Sequence, residues 1–567
     1  MLLGTVLFAA SAAAAPLDDI GYSLLRQRLG VDVPEGAGVV LGQVEARSDE
    51  QYLPDEADAQ FDGKTVTPMS GAGQVSSHAT TVGRNYYGRL ASPAPAATDI
   101  RAYAADDWLS SVLNHGRSVA PAEMGDVQVV NHSWIQSNGD EASARETLQR
   151  ADYLVERDGV VMVAGVNNGS ETDLPWVMSS AYNAIAVGVT SLDHSAGPTT
   201  IDQPGRSKPD LIAPDSRTSY ATPLVAGAGA GLIGEAEQRG WSGAQRPEVL
   251  KSILMAGTSK SADWYAEPGE PLDRVRGAGM LRVDRAWRIF DAGPHEPEQV
   301  AGPAGWSEAI VTDEPHDYIL DLPSPAAEVT VQLSWLRRHR GSWARPGTTL
   351  DHLRLRAYDG TELLGVSDSA VDNIQHLRLT DLPSGFTRLE VDSVSDDGLT
   401  GTQYGVAWLA RLLGDVDEDG QVGADDLRLF PAARGGESGP GLDADAADWN
   451  RDGVLQSEDL WSLAEQLGAA GPGDANLDGQ VNLSDLALLS NNWGRSDGSA
   501  VWQIGDFDGD GNVLASDLDL LAANWSGDQP LQAASWMETS AVPEPASLAV
   551  LLAAGGLLMR RRTARGR

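Results

Sequence analysis

Cysteine is absent from all 567 residues, which removes disulfides, thiolate zinc sites and thiol nucleophiles together. Stability must then come from packing or from bound ions. Basic residues are scarce: 41 Lys and Arg stand against 81 Asp and Glu, a formal net charge of −40. A field of that sign repels phosphate backbones, so nucleic acid is excluded as an expected partner and cations are favoured. Apolar stretches that suggest a membrane occur only at the two ends, which argues against a polytopic membrane protein. Apolar residues make up 42% and charged residues 22% of the chain, enough to bury cores. At roughly 150 residues per domain, this length implies about three or four domains.

Residues 2–15, LLGTVLFAASAAAA, are uncharged, close on small residues and run into Pro16 and two aspartates. That is the order of a signal peptide over 1–15. At the other end, Val542-Pro543-Glu544-Pro545 precedes the apolar stretch 546–559, and Arg560-Arg561-Arg562 follows. This order resembles the PEP-CTERM sorting signal of bacteria. The resemblance implies that 542–567 is a sorting tail whose short transmembrane helix is handled by sorting machinery at the membrane; a plain C-terminal anchor is the alternative. Either use puts the body outside the cytoplasmic membrane, secreted or on the cell surface.

Between the ends, composition separates three regions. Over 17–290, apolar strand-like runs at 39–44, 127–130, 160–164 and 184–189 alternate with helical stretches, the pattern of an α/β domain with a mainly parallel sheet. A Pro/Gly/Glu-rich stretch from Asp291 reads as a linker. Over 305–410 the period changes to two, as in Val329, Val331, Leu333 and Trp335, which predicts an accessory all-β sandwich. The region 414–527 is an internal repeat.

Four segments of the α/β region carry the chemistry of a nucleophile. Thr218-Ser219-Tyr220-Ala221-Thr222-Pro223 opens a Gly/Ala-rich run that can pack as a buried helix, with Ser219 at its positive end facing any oxyanion. A plain Ser/Thr helix cap is the alternative. Ser76-Ser77-His78 is a helix start that carries a candidate general base. Val161-Met162-Val163-Ala164-Gly165-Val166-Asn167-Asn168-Gly169 is a buried strand ending in amides, where an Asn side chain could donate to an oxyanion; an ordinary Asn-Gly turn is the alternative. Gly36-Ala37-Gly38-Val39-Val40-Leu41-Gly42-Gln43-Val44-Glu45 is a strand ending in a carboxylate.

In this order the segments resemble the subtilisin-like serine proteases, together with Val130-Asn131-His132-Ser133, the 181–188 and 208–214 strands, and Gly277-Ala278-Gly279. The resemblance covers about 36–287. It implies Ser219 as nucleophile, His78 as base, Asn167 as oxyanion donor and Glu45 as the acid, where the family carries aspartate. Asp49 is the alternative acid. Three further departures stand out. Arg217 replaces a glycine before Thr218, the segment from Pro214 to Ser219 is short, and Trp134 fills a position usually small beside the cleft.

In the repeat region, oxygens recur at positions 1, 3, 5 and 12 around a glycine at 6, with position 7 offering its carbonyl. The four copies use Asp415, Asp417, Asp419, Gln421 and Asp426; Asp448, Asn450, Asp452, Val454 and Asp459; Asp474, Asn476, Asp478, Gln480 and Asp485; and Asp506, Asp508, Asp510, Asn512 and Asp517. Such hard oxygen sets wrap Ca²⁺. Behind three of the loops, Leu460/Leu463/Leu467, Leu486/Leu489/Trp493 and Leu518/Leu521/Trp525 predict amphipathic helices. Residues 414–541 hold 25 acidic and 4 basic side chains, so the loops need cations to stay closed. The closing Asp resembles the dockerin type I repeat, which implies calcium binding and a cohesin-like partner; a calcium-stiffened stalk is the alternative.

The expectation is a multidomain, secreted, calcium-dependent serine endopeptidase acting on polypeptides. The alternative is a catalytically inactive surface or matrix protein on the same scaffold.

Overall fold

In the computed structural model, residues 15–136, 139–343, 345–394, 401–437 and 439–527 are described. The predicted tail at 542–567, and all of the predicted 1–15 leader except Ala15, lie outside them. Among the described residues no helix is long and apolar enough to cross a membrane. The chain divides into two units, Met1–Ala410 and Arg411–Arg567.

The first unit is built on a seven-stranded sheet of β1 (Val40–Glu45), β2 (Thr65–Pro68), β3 (Asp99–Ala104), β4 (Val127–His132), β5 (Val161–Gly165), β6 (Ala184–Val189) and β7 (Leu211–Ala213). Their order is β7-β6-β5-β4-β1-β3-β2, and every adjacent pair is parallel. β5, β6 and β7 are buried at every residue, as strands covered on both faces must be, which is why they read as unbroken apolar runs. The chain lays β2 and β3 on one side of β1 and β4 to β7 on the other. β1 is thus the switch point of the sheet, and Glu45 is its last residue. Crevices at the carboxyl ends of strands beside such a point are where open α/β sheets bind ligands.

Helices α1 (Ala15–Asp19) and α2 (Tyr22–Leu29) precede the sheet and place Leu17, Ile20, Tyr22 and Leu25 in its core. Then follow α3 (Ser77–Tyr87), α4 (Glu141–Asp158), α5 (Thr218–Arg239), α6 (Pro247–Ala256) and α7 (Val283–Asp291). The glycines of α5 let it lie directly on backbone: a Cβ at Gly227 would meet Tyr86 O at 2.9 Å, and one at Gly231 would meet Pro34 O at 3.0 Å.

A nine-stranded sandwich completes this unit: β8 (Val300–Ala301), β9 (Ala304–Val311), β10 (His316–Leu322), β11 (Ala326–Trp335), β12 (Leu353–Asp359), β13 (Glu362–Ser367), β14 (Ile374–Leu382), β15 (Gly385–Ser393) and β16 (Thr402–Leu412). Its sheets run β8-β10-β15-β12-β13 and β9-β16-β11-β14. It shares a core with the α/β layer, since Trp306, Ile374, Ala407 and Leu409 join the same apolar cluster as α5 to α7. Ser252 of α6 donates to Gly405 O at 2.9 Å. Arg337, 1% exposed at its side chain, runs from the sandwich into the α/β layer to pair with Asp152 and Asp202. The stretch from Asp291 is pinned too: His295 N–H donates to Trp306 O at 2.8 Å, and Trp306 Nε1 to Phe290 O at 3.1 Å.

The second unit holds α8 (Asp426–Arg434), α9 (Ala444–Ala447), α10 (Ser457–Gln466), α11 (Leu483–Asn491) and α12 (Ala515–Ala523). An acidic loop leads into each of α8, α10, α11 and α12. Leu460, Leu463, Leu486, Leu489 and Leu521 meet in one apolar cluster with Phe430, Trp502 and Phe507.

Candidate active site and acidic loops

Strand periodicity puts Gln43 and Glu45 on the same side of β1. Glu45, 2% exposed at its side chain, accepts from Gln43 Nε2 at 2.9 Å and lies 2.7 Å from His78 Nδ1 through its other oxygen. Gln43 is itself fixed: its Nε2 donates to Ala79 O at 2.8 Å and its Oε1 accepts from Tyr87 OH at 2.6 Å. His78 is the second residue of α3, whose N-cap Ser76 accepts from Ala79 N–H at 3.2 Å. The hydrogen bond to Glu45 raises the His78 pKa above its ordinary value, against burial and the Arg217 charge, which lower it. Asp49, the alternative acid, lies exposed at a positive φ of 47° and makes no hydrogen bond to His78.

Ser219 occupies the first turn of α5, where backbone N–H groups have no intrahelical partner and the dipole is positive. Its neighbour Tyr220 packs on His78 with ring centroids 5.5 Å apart. Two further asparagines set this turn: Asn85, which the sequence does not single out, and Asn168, one of the amides that end the strand segment. Asn85, two turns beyond His78 on α3, donates to Asp215 Oδ2 at 3.0 Å and to Tyr220 O at 2.9 Å, tying the short loop to the histidine helix. Asn168 Oδ1 accepts from Thr218 N–H at 3.0 Å. Ser133 Oγ donates to Ser219 O at 2.8 Å and accepts from Asn131 Nδ2 at 2.9 Å. The Ser219 hydroxyl makes no hydrogen bond to His78, and the Asn167 side-chain amide has no partner among the described residues; Asn167 is held through its backbone by Ser195.

Trp134, the large residue expected beside the cleft, is packed inward. It is 8% exposed, and its indole donates to His132 Nδ1 at 3.1 Å inside a cluster with Trp108 and Tyr103. Burial drops the His132 pKa to about 3, so that ring is neutral.

The four acidic loops share one hydrogen-bond pattern. The closing Asp accepts from the N–H groups of positions 3 and 9: Asp426 from Asp417 and Gly423, Asp459 from Asn450 and Gln456, Asp485 from Asn476 and Asn482, and Asp517 from Asp508 and Leu514. The first Asp accepts from the glycine at position 6, and position 5 accepts from the N–H of position 7, as in Asp506 with Gly511 and Asp510 with Asn512. Gly420, Gly453, Gly479 and Gly511 all have positive φ, between 80° and 98°. Carboxylate oxygens of Asp415, Asp417 and Asp419, and of Asp506, Asp508 and Asp510, converge within 4.8 Å of one another. Burial, reinforced by the neighbouring carboxylates, pushes Asp426 and Asp506 up to about 7 and Asp517 to about 6. An all-oxygen set that crowds its own negative charge fits a hard divalent cation.

Residues 472–524 match the dockerin type I domain, a calcium-binding module. No curated protein matches the chain. Similar solved structures include the patellamide maturation protease PatA, 18% identical with a TM-score of 0.33, covering 45% of this chain and 98% of that one. The prenylagaramide maturation protease PagA is 20% identical with a TM-score of 0.32, covering 45% and 94%.

Proposed function

We propose that the chain is a secreted, calcium-dependent serine endopeptidase of the subtilisin-like kind. The observation that carries this reading is the 2.7 Å contact between buried Glu45 and His78 Nδ1 at the switch point of the sheet. A carboxylate on Nδ1 leaves Nε2 free to act as a base. Ser219 Oγ bonds to the peptide carbonyl carbon as His78 takes its proton. The oxyanion is met by the Ser219 N–H and the Asn167 amide. The carbon–nitrogen bond then breaks as His78 returns the proton to the leaving amine, and water hydrolyses the ester. Closure of the serine–histidine bond accompanies substrate binding, since such bonds are often long before it.

Polypeptides are the substrates, the dockerin-like repeats dock a cohesin-like protein at the cell surface, and the sorting machinery handles the 542–567 tail. The second reading, an inactive surface protein, is favoured by the missing bond from Ser219 Oγ to His78 and by Arg217, whose charge opposes protonation of that ring.

The test is casein hydrolysis in calcium together with labelling by a fluorophosphonate probe. Labelling and cleavage that both vanish in Ser219→Ala support the enzyme. A folded, calcium-loaded chain that shows neither sinks it in favour of the inactive reading.

A further inference from the structure

The fourth loop differs from the other three at position 4. Glu418, Arg451 and Leu477 hold that position in left-handed backbone at φ 61°, 60° and 58°, whereas the fourth loop has Gly509 at φ 70°. The reason lies outside the loop: a Cβ on Gly509 would sit 3.0 Å from Leu460 Cδ2 and 3.1 Å from the Phe430 ring. Phe430 and Leu460 stand on the helices behind the first and second loops, which make up the first pair of repeats as the third and fourth make up the second. That pair also supplies three donors to the carbonyls on either side of the loop's ligand at position 3. Trp461 Nε1 donates to Phe507 O at 2.7 Å, while Ser457 Oγ and Arg434 Nη1 both donate to Asp508 O, at 2.7 and 2.6 Å. In return, Gln503 Nε2 donates to Ala424 O in the first loop at 2.6 Å.

We infer that Arg434, Ser457 and Trp461 are positioning residues for the cation site of Asp506, Asp508 and Asp510, so that the four loops bind as one coupled set and not as two independent pairs. The inference rests on reading the loops as calcium sites. Groups that orient metal ligands from outside typically change metal affinity about 10- to 100-fold. Here they fix the peptide planes from 507 to 509 and so keep three mutually repelling carboxylates converged before a cation arrives. Coupling is reciprocal: whatever the first pair contributes to calcium at the fourth loop, calcium there returns to the packing of the first pair.

The test is hydrogen exchange of the intact chain, read at peptides spanning 506–517 while free calcium is raised. In Ser457→Ala combined with Trp461→Phe, the calcium midpoint for protecting 506–517 should rise by about 10- to 100-fold. Ser457→Thr, which keeps the hydroxyl, should restore the Ser457 part of that shift. Ser462→Ala should leave the midpoint in place, because that hydroxyl bonds only Glu458 O. Asp448→Asn in the first pair should also raise the 506–517 midpoint. A midpoint that stays put in the double variant and in Asp448→Asn overturns the coupling while leaving the calcium reading intact. No calcium-dependent protection at any of the four loops overturns both.

Discussion

Glutamate reaches one methylene further than aspartate, and at the end of β1 that reach lets one carboxylate oxygen meet His78 while the other holds Gln43. The hydrogen bond favours the protonated imidazole, so its contribution to stability is present below the ordinary histidine value of about 6.5 and is lost as pH climbs through the raised folded value. Activity runs the other way, because a base must be neutral: kcat/KM should rise only above the raised pKa. Glu45→Gln removes the anion, so the acid limb of the profile should move to lower pH, while the rate falls by roughly 10³- to 10⁴-fold through loss of the tautomer that leaves Nε2 free. Arg217→Ala removes a charge that lowers the same pKa, so its acid limb should move to higher pH. Asp49→Asn should move neither limb. Profiles of kcat/KM against pH for the three variants check the set, and identical limbs in Glu45→Gln and the parent would remove Glu45 from the mechanism.

At the scale of elements, α3 and α5 must meet in one register for His78 and Ser219 to face each other, and Asn85 is the side chain that joins them. Asn85→Ala should slow fluorophosphonate labelling by about 100-fold, the cost of a displacement near 1 Å, while changing the melting temperature little. Gly227→Val should do the reverse, destabilising by about 1–3 kcal/mol through the Tyr86 carbonyl and Pro93, as read in denaturant unfolding. The strands and the Gly/Ala-rich helix α5 were legible because each writes a local pattern, as did Ser76 as a cap and Glu45 at a strand end. Asn85 was not, since its partner lies 130 residues away and it breaks no local pattern, and Asn168 showed only as an amide at a strand end, its partner Thr218 lying 50 residues away. Gln43 had a signal, its i,i+2 relation to Glu45. The shared core was hidden for another reason. Glu328, Thr330, Gln332 and Ser334 alternate with the apolar residues of β11 and read as a wet face, yet all four are buried, each with hydrogen-bond partners such as Arg378 for Glu328 and Lys260 for Thr330.

For the molecule as a whole, the excess of acid is not evenly spent. In the first unit, buried carboxylates such as Asp152 and Asp210 find Arg337, Lys208 and Lys251. In the second, the closing and opening aspartates of the loops sit among other carboxylates, and burial raises Asp426, Asp485, Asp506 and Asp517. Groups whose folded pKa is raised leave the fold most favoured below the ordinary aspartate value of about 3.9 and withdraw that support as pH rises through the folded values near 6 to 7. Without calcium, then, the repeats should loosen between about pH 4 and pH 7, a direction opposite to ordinary acid denaturation. Calcium supplies the charge that protons supply at low pH, so saturation should abolish that slope, by mass action on the folded loops alone. Among the described residues of the first unit no such loop occurs, so the chain's calcium dependence should reside in the repeats. Hydrogen exchange of the intact chain at pH 5 and 7.5, in calcium and in chelator, separates the two units peptide by peptide. Protection over 415–517 that is lost only at pH 7.5 in chelator is the expected pattern. Equal protection in all four conditions would mean that the carboxylates are relieved from within the protein and that the loops do not need a cation to hold their shape.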